Sequence, residues 1–191
     1  FLIKWKNSLT FNNFRINVHE DAQFTSSNLF LFDSNYEGSF HISNGSISIT
    51  YDLFLMNKNN NVLQVRNTLL VDIDTIHVSG IQSFHQSDRN LGNLVKIQSV
   101  NETIISKAKF SNSFSFHGFF FIHCDNVVIQ DIECLDSENV RCISVQENKE
   151  SFLVNEMNCF NNSLTVCLHT EDSKGDFYHQ PKTGSYLPAK E

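Results

Sequence analysis

The residues whose types and spacing could do chemistry begin with the cysteines. All five lie between Cys124 and Cys167, and Cys134 and Cys142 recur about 25 residues later as Cys159 and Cys167. A thiol pair repeated with its spacing intact can be bridged, or it can stay reduced as a buried row of small apolar side chains. Two carboxylate pairs at i and i+2, Asp72 with Asp74 and Asp131 with Glu133, fall on one face of an extended segment and could share a cation or a proton. Two carboxylates fall well short of the roughly six to eight oxygens that calcium takes, so a solvated outer face is the plainer reading. His41, His77, His85, His117, His123, His169 and His179 are scattered without the spacing of a tetrahedral metal site and read as surface residues.

Asn44, Asn101 and Asn161 each open an Asn-x-Ser/Thr triplet. Asn101 and Asn161 fall in turns where a glycan could project outward, although a chain this rich in Asn, Ser and Thr supplies such triplets by composition alone. No catalytic set, cofactor site or metal site is read from these residues.

The rest of the sequence says what must position them. In 191 residues alanine is scarce, while Asn, Ser, Phe, Ile and Val are plentiful, which favours strands and polar turns over helices. A formal net charge of −7 without clustered Lys or Arg argues against a nucleic-acid or membrane-surface partner. No apolar run approaches the roughly 18 residues of a membrane span. With no leader at Phe1, the chain is expected to be a processed product or a fragment.

Four segments line up as a repeat: DTIHVSGIQSF from Asp74, NETIISKAKFS from Asn101, DNVVIQDIECL from Asp125 and ESFLVNEMNCF from Glu150, at offsets of about 27, 24 and 25 residues. Their third positions are Ile76, Thr103, Val127 and Phe152, and their fifth are Val78, Ile105, Ile129 and Val154. Alternation of this kind makes one face apolar. Ile81, Ala108, Ile132 and Met157 restart the pattern after a polar interruption, as at a bend between two strands. A third strand per repeat is read in LVKIQ from Leu94, FFFIH from Phe119, RCISV from Arg141 and VCLHT from Val166. The expected fold is all-β, a right-handed parallel β-helix with coils of roughly 24–27 residues spanning 1–171. The pattern is looser over 1–60, a loop is inserted near 86–93, and 172–191 form an irregular tail or linker.

At the level of repeat period and pattern, residues 40 to 170 resemble the pectin-lyase-like parallel β-helices, and among them the non-enzymatic surface proteins. The polygalacturonase-like members of that class place Asn-Thr-Asp, Asp-Asp, Gly-His-Gly and Arg-Ile-Lys motifs on successive coils. Only Phe116-His117-Gly118 approaches one of them. Calcium-dependent lyases of the class use acidic clusters beside a basic residue; the nearest arrangement here is Asp72 and Asp74, with Arg66 the closest arginine.

Stacked coils bring equivalent Cα atoms to about 4.8 Å, within disulfide range, so Cys134 with Cys159 and Cys142 with Cys167 are feasible bridges between coils. The rival scheme joins Cys134 to Cys142 and Cys159 to Cys167 within each coil. Alternation speaks against it, since Cys134 shares the inward parity of Ile132 while Cys142, beside inward Ile143, should face out. Free thiols remain the third possibility, and Cys124 is odd in every scheme.

The function these readings favour is a non-catalytic structural or adhesive module of a secreted or cell-surface protein. Its expected partners are other protein chains or cell-surface glycans, with self-association through coil ends. The alternatives are a polysaccharide lyase or hydrolase and a self-assembling extracellular fibre subunit. Within the run Phe119 to Phe121, alternate rings must point outward, which marks Phe120 or its neighbours as a candidate interaction surface.

Overall fold

The computed structural model describes residues 1–18, 28–49, 61–80, 92–112, 114–136, 138–160, 166–171 and 176–181. They form strands and short turns only, and among them no helix is long and apolar enough to cross a membrane. The strands in chain order are β1 (Leu2–Lys4), β2 (Asn7–Asn12), β3 (Arg15–Val18), β4 (Asn28–Asp33), β5 (Gly38–Ser43), β6 (Gly45–Ile49) and β7 (Asn61–Ser79). They continue with β8 (Gly92–Ser111), β9 (Phe114–Ile122), β10 (Asn126–Leu135), β11 (Glu138–Gln146), β12 (Ser151–Phe160), β13 (Val166–Glu171) and β14 (Asp176–Pro181).

Each strand pairs in parallel with the strand one repeat later, giving a 14-stranded sheet whose longest path is β1-β4-β7-β8-β10-β12-β14. The long strand β7 shows how the repeat is built. Its first part pairs with β4 (Phe30 opposite Leu63), its middle with β5 (Phe40 opposite Val71) and its end with β6 (Ile47 opposite Val78). One run of chain therefore carries three pairing segments, separated by bends rather than by long loops.

Parallel pairing in register turns each inward position into a ladder. Val71, Thr103, Val127 and Phe152 form one, and Ile73, Ile105, Ile129 and Val154 another. These side chains are buried throughout, with Phe110, Phe119 and Phe121 filling the space between them. Burying a Val, Leu, Ile or Phe side chain stabilises by about 1.5–3 kcal/mol, so the repeated ladder is the main source of cohesion. One rung is polar: the Thr103 hydroxyl is buried without a hydrogen-bond partner.

The bends share a backbone solution. Asn67, Ser99, His123 and Glu147 occupy equivalent places and all have left-handed φ, from 51° to 55°. Gly80, Asn112 and Asp136 repeat the device at a second bend, and Asn13 and Asn44 at a third, where Asn44 Nδ2 donates to Asn13 Oδ1 at 2.7 Å. Asn, Asp and Gly tolerate this conformation because a short polar side chain, or none, avoids the clash that other residues meet. Ser99, His123 and Glu147 lack that excuse; ladder hydrogen bonds hold the latter two, His123 N to Gln146 O at 3.2 Å and Glu147 N to Glu171 O at 3.1 Å.

The structure corrects the sequence expectations at several points. The segment from Asp74 is misaligned: Thr103 and Ile105 stand opposite Val71 and Ile73, whereas Ile76 and Val78 stand opposite Ala108 and Phe110. Alternation is preserved under such a shift because β7 carries two inward pairs, so periodicity alone could not choose between them. Second, the interval there is 32 residues, as between Asn61 and Asn93, against 25 between Asn126 and Ser151. The interruption expected near 86–93 lies outside the described residues up to 91, but Gly92 and Asn93 already belong to β8. Third, the tail expected at 172–191 contains strand β14, whose Phe177 and His179 continue the rows of Phe152 and Val154. The exposed edge of β12 supplies the backbone partners, and β14 tolerates Pro181 at its end because its outer side has no ladder to feed among the described residues. A further correction concerns the cysteines and is given with their geometry below.

Candidate functional site

The outward face of β7, β8, β10 and β12 sets acidic and basic residues on neighbouring strands. Across it run two rows: Thr75, Lys107, Asp131 and Glu156, and beside it His77, Lys109, Glu133 and Asn158. The acidic pair Asp131 and Glu133 thus has two lysines on the neighbouring strand, which the linear sequence did not reveal because the lysines lie a full repeat away. Lys109 Nζ is 3.4 Å from Glu133 Oε2, while Asp131 Oδ1 is buried without a hydrogen-bond partner. Burial first, and then the positive charge of Lys109, lower the pKa of His77, whose Nε2 lies 3.2 Å from Ser111 Oγ. Opposite charges set side by side on neighbouring strands stabilise a sheet face by roughly 0.2–1 kcal/mol per pair. They also give it a patterned polar surface.

The other acidic pair is dispersed. Asp72 lies 3.3 Å from His41 Nδ1 and Asp74 is exposed, so they do not form a joint cation site with Arg66. Arg66 instead donates to Asp33 Oδ2 at 2.8 Å. Burial tends to raise the Asp33 pKa, but hydrogen bonds from Arg66, the Asn35 backbone and Asn67 outweigh it and hold the carboxyl below its ordinary value.

A second outward row reads Gln64, Lys96, Phe120, Ser144 and His169. Phe120 is half-buried under Lys96, whose Nζ sits 5.5 Å from the ring centroid, so the expected exposed ring is partly covered from within the chain. Burial and then Arg66 lower the Lys96 pKa. Next to this row His117 is buried, contrary to the surface position read for it, and its Nδ1 lies 2.6 Å from Ser144 Oγ. Burial, with the positive charges of Arg141 and His169, pushes the His117 pKa down to about 3. The imidazole is therefore neutral at physiological pH, and with both side chains buried the pair is placed for structure. Asn28, Asn61 and Asn93 lead into His117 along one row, joined by Asn61 Nδ2 to Asn28 Oδ1 at 2.6 Å and Asn93 Nδ2 to Asn61 Oδ1 at 2.8 Å.

At the first bend, Tyr36, Ser99, Val100, Asn101, His123, Asp125, Glu147 and Lys149 line an open cleft of about 380 Å³. His123 Nε2 to Glu147 Oε2 at 2.7 Å and Lys149 Nζ to Asp125 Oδ1 at 3.4 Å cross it. Tyr36 is exposed beside these polar groups, and so is Asn101, which belongs to one of the three sequons. Asn44 is also exposed, on the third bend, and Asn161 lies outside the described residues, as does His85.

The cysteines depart from the expected bridges. Cys134 stands opposite Cys159 in the parallel register, as anticipated, yet the disulfides run within each repeat, Cys134 to Cys142 and Cys159 to Cys167. Cys142 does not face out: residues 142 to 145 are buried without alternation, and Cys142 is bonded to Cys134 in the core. Lateral stacking brings Cys142 Sγ within 3.7 Å of Cys159 Sγ. Among the described residues, Cys142, Cys159 and Cys167 are the group whose ligand atoms converge closely enough for a metal ion. Cys124 is a buried free thiol whose pKa burial drives up to about 12.

No family model, curated protein or solved structure matches the chain.

Proposed function

We propose that the chain winds as a right-handed parallel β-helix and serves as a non-catalytic structural or adhesive module of a secreted or cell-surface protein. The observation that supports this reading most is the parallel pairing that continues from β1 to β14, with a bulge where β12 meets β14, and with apolar ladders inside and patterned polar rows outside. Such a scaffold presents long, shaped faces for other chains or glycans. Paired cysteines fit an oxidising compartment. Both ends of the strand path lack a lateral neighbour among the described residues, which fits self-association through the end strands.

A second reading is a polysaccharide lyase or hydrolase, favoured by one observation: Lys107 and Lys109 flank Asp131 and Glu133 on adjacent strands. Against it, Lys109 is already paired with Glu133. One experiment separates the two. Purified chain is applied to arrays of pectic and cell-surface glycans, and the same glycans are assayed for unsaturated and reducing ends, with and without calcium. Retention without new ends supports the adhesive module. Release of ends that Asp131→Asn abolishes overturns it in favour of the enzyme.

A further inference from the structure

We propose that Cys134, Cys142, Cys159 and Cys167, once reduced, form a tetrathiolate site for one soft divalent cation of the zinc class. This rests on sulfur geometry and is independent of the adhesive reading. The parallel register sets Cys134 against Cys159, and the flanking pairs Arg141 with Val166 and Ile143 with Leu168 set Cys142 against Cys167. Within each repeat the paired cysteines have Cα atoms 6.3 and 6.5 Å apart. With strands about 4.8 Å apart, the four Cα atoms outline a small rectangle whose centre is about 4 Å from each, within reach of a cysteine side chain and a metal bond.

The sulfurs already crowd that centre. Cys142, Cys159 and Cys167 have Sγ atoms within 4.8 Å of one another, and the Cys142 to Cys159 contact is 3.7 Å. A tetrahedral zinc ion with bonds of about 2.3 Å separates its sulfurs by about 3.8 Å, so a contact between the two disulfides has the edge length of such a site. Thiolates select soft cations over calcium or magnesium. Cys134, Cys142 and Cys167 are buried and Cys159 is half-buried, which encloses the ion while leaving one approach from outside.

The chemistry balances simply. Each disulfide takes two electrons from a phosphine, while water supplies the two protons and the oxygen of the resulting phosphine oxide, or takes two electrons and two protons from two thiols that end as a disulfide; either way it becomes two thiols. The cation then displaces four protons to solvent as four metal–sulfur bonds form, without further redox change. Two equivalents of a small-molecule disulfide reverse this: each takes two electrons from the cluster and two protons from solvent to become two thiols, one protein bridge re-forms per equivalent, and the ion is released, so the cluster alternates between two covalent bridges and one metal centre.

The test uses the full chain, reduced with a phosphine under anaerobic conditions and titrated with cobalt(II), then zinc(II). The expected result is one cobalt per chain, with thiolate-to-metal charge-transfer absorption and the visible bands of tetrahedral cobalt, both lost on adding one equivalent of zinc. Cys124→Ser keeps these bands, Cys142→Ser and Cys159→Ser lose the four-sulfur spectrum, and the unreduced chain shows none. Absence of the bands in reduced chain that retains its β circular dichroism overturns the proposal, as does an unchanged spectrum in Cys142→Ser. If reduction alone unfolds the chain, zinc must restore the β signal, and failure to do so overturns it equally.

Discussion

The Nδ1 of His117 and the hydroxyl oxygen of Ser144 lie 2.6 Å apart on neighbouring strands, and both side chains are buried. The folded chain keeps this imidazole neutral, with a pKa near 3 against an ordinary 6.5. Between those values the unfolded chain binds the extra proton, so stability rises with pH and is lost on acidification. The slope for this one group is about 1.4 kcal/mol per pH unit below 6.5. Urea unfolding at pH 7.5 and at pH 5 should show that loss in the natural chain, and a shallower one in His117→Asn. Equal slopes for the two proteins would contradict the burial of His117.

Gly118 is the next residue, and it is there for space. A Cβ at this position would meet the carbonyl oxygen of Cys142 at 2.5 Å and the Phe110 ring at 2.8 Å. The carbonyl belongs to backbone and cannot swing away. Gly118→Ala is therefore expected to destabilise by about 1–3 kcal/mol, as other overpacked interiors do. Thermal unfolding that is unchanged in this variant would show that β9 and β11 approach less closely.

Thr103 interrupts an apolar ladder with a hydroxyl that has no partner. Replacing it by valine keeps the shape and removes the stranded polar atom, so Thr103→Val should stabilise the fold by about 1–3 kcal/mol. Chemical denaturation is the direct measure. A destabilised Thr103→Val would mean that the hydroxyl is hydrogen-bonded after all.

The disulfide connectivity predicts a specific peptide map. Digestion without reduction should yield Cys134 linked to Cys142 and Cys159 linked to Cys167, with Cys124 alkylated only after denaturation. Links from Cys134 to Cys159 would refute it. Each bridge closes a short loop, with a sequence separation of 8, so replacing one pair by serine should cost about 2–3 kcal/mol on the chain-entropy account.

How much of this was legible beforehand follows the range of the interactions involved. Alternation in the segments from Asn101, Asp125 and Glu150 is local, and it placed Ile105, Val127, Ile129, Phe152 and Val154 on the inner face and matched Cys134 to Cys159. The shift at Asp74 was hidden because Val71 and Ile73 alternate as well as Ile76 and Val78 do, and only hydrogen bonds to β8 choose between them. The strand at Asp176–Pro181 was hidden because six residues carry too few alternations to stand out, while a ready edge on β12 pairs with them regardless.

The sequence by itself determined that the chain is all-β, that it repeats, and which side of most strands is apolar, because period-two patterning expresses burial directly. Tertiary structure alone decided what meets across the repeats. Lys107 stands beside Asp131, Lys109 beside Glu133 and His117 beside Ser144, and Cys142 turns inward to Cys134. Each of these depends on register and on the bend angle between segments, quantities set by many weak ladder contacts together and written in no single stretch of residues.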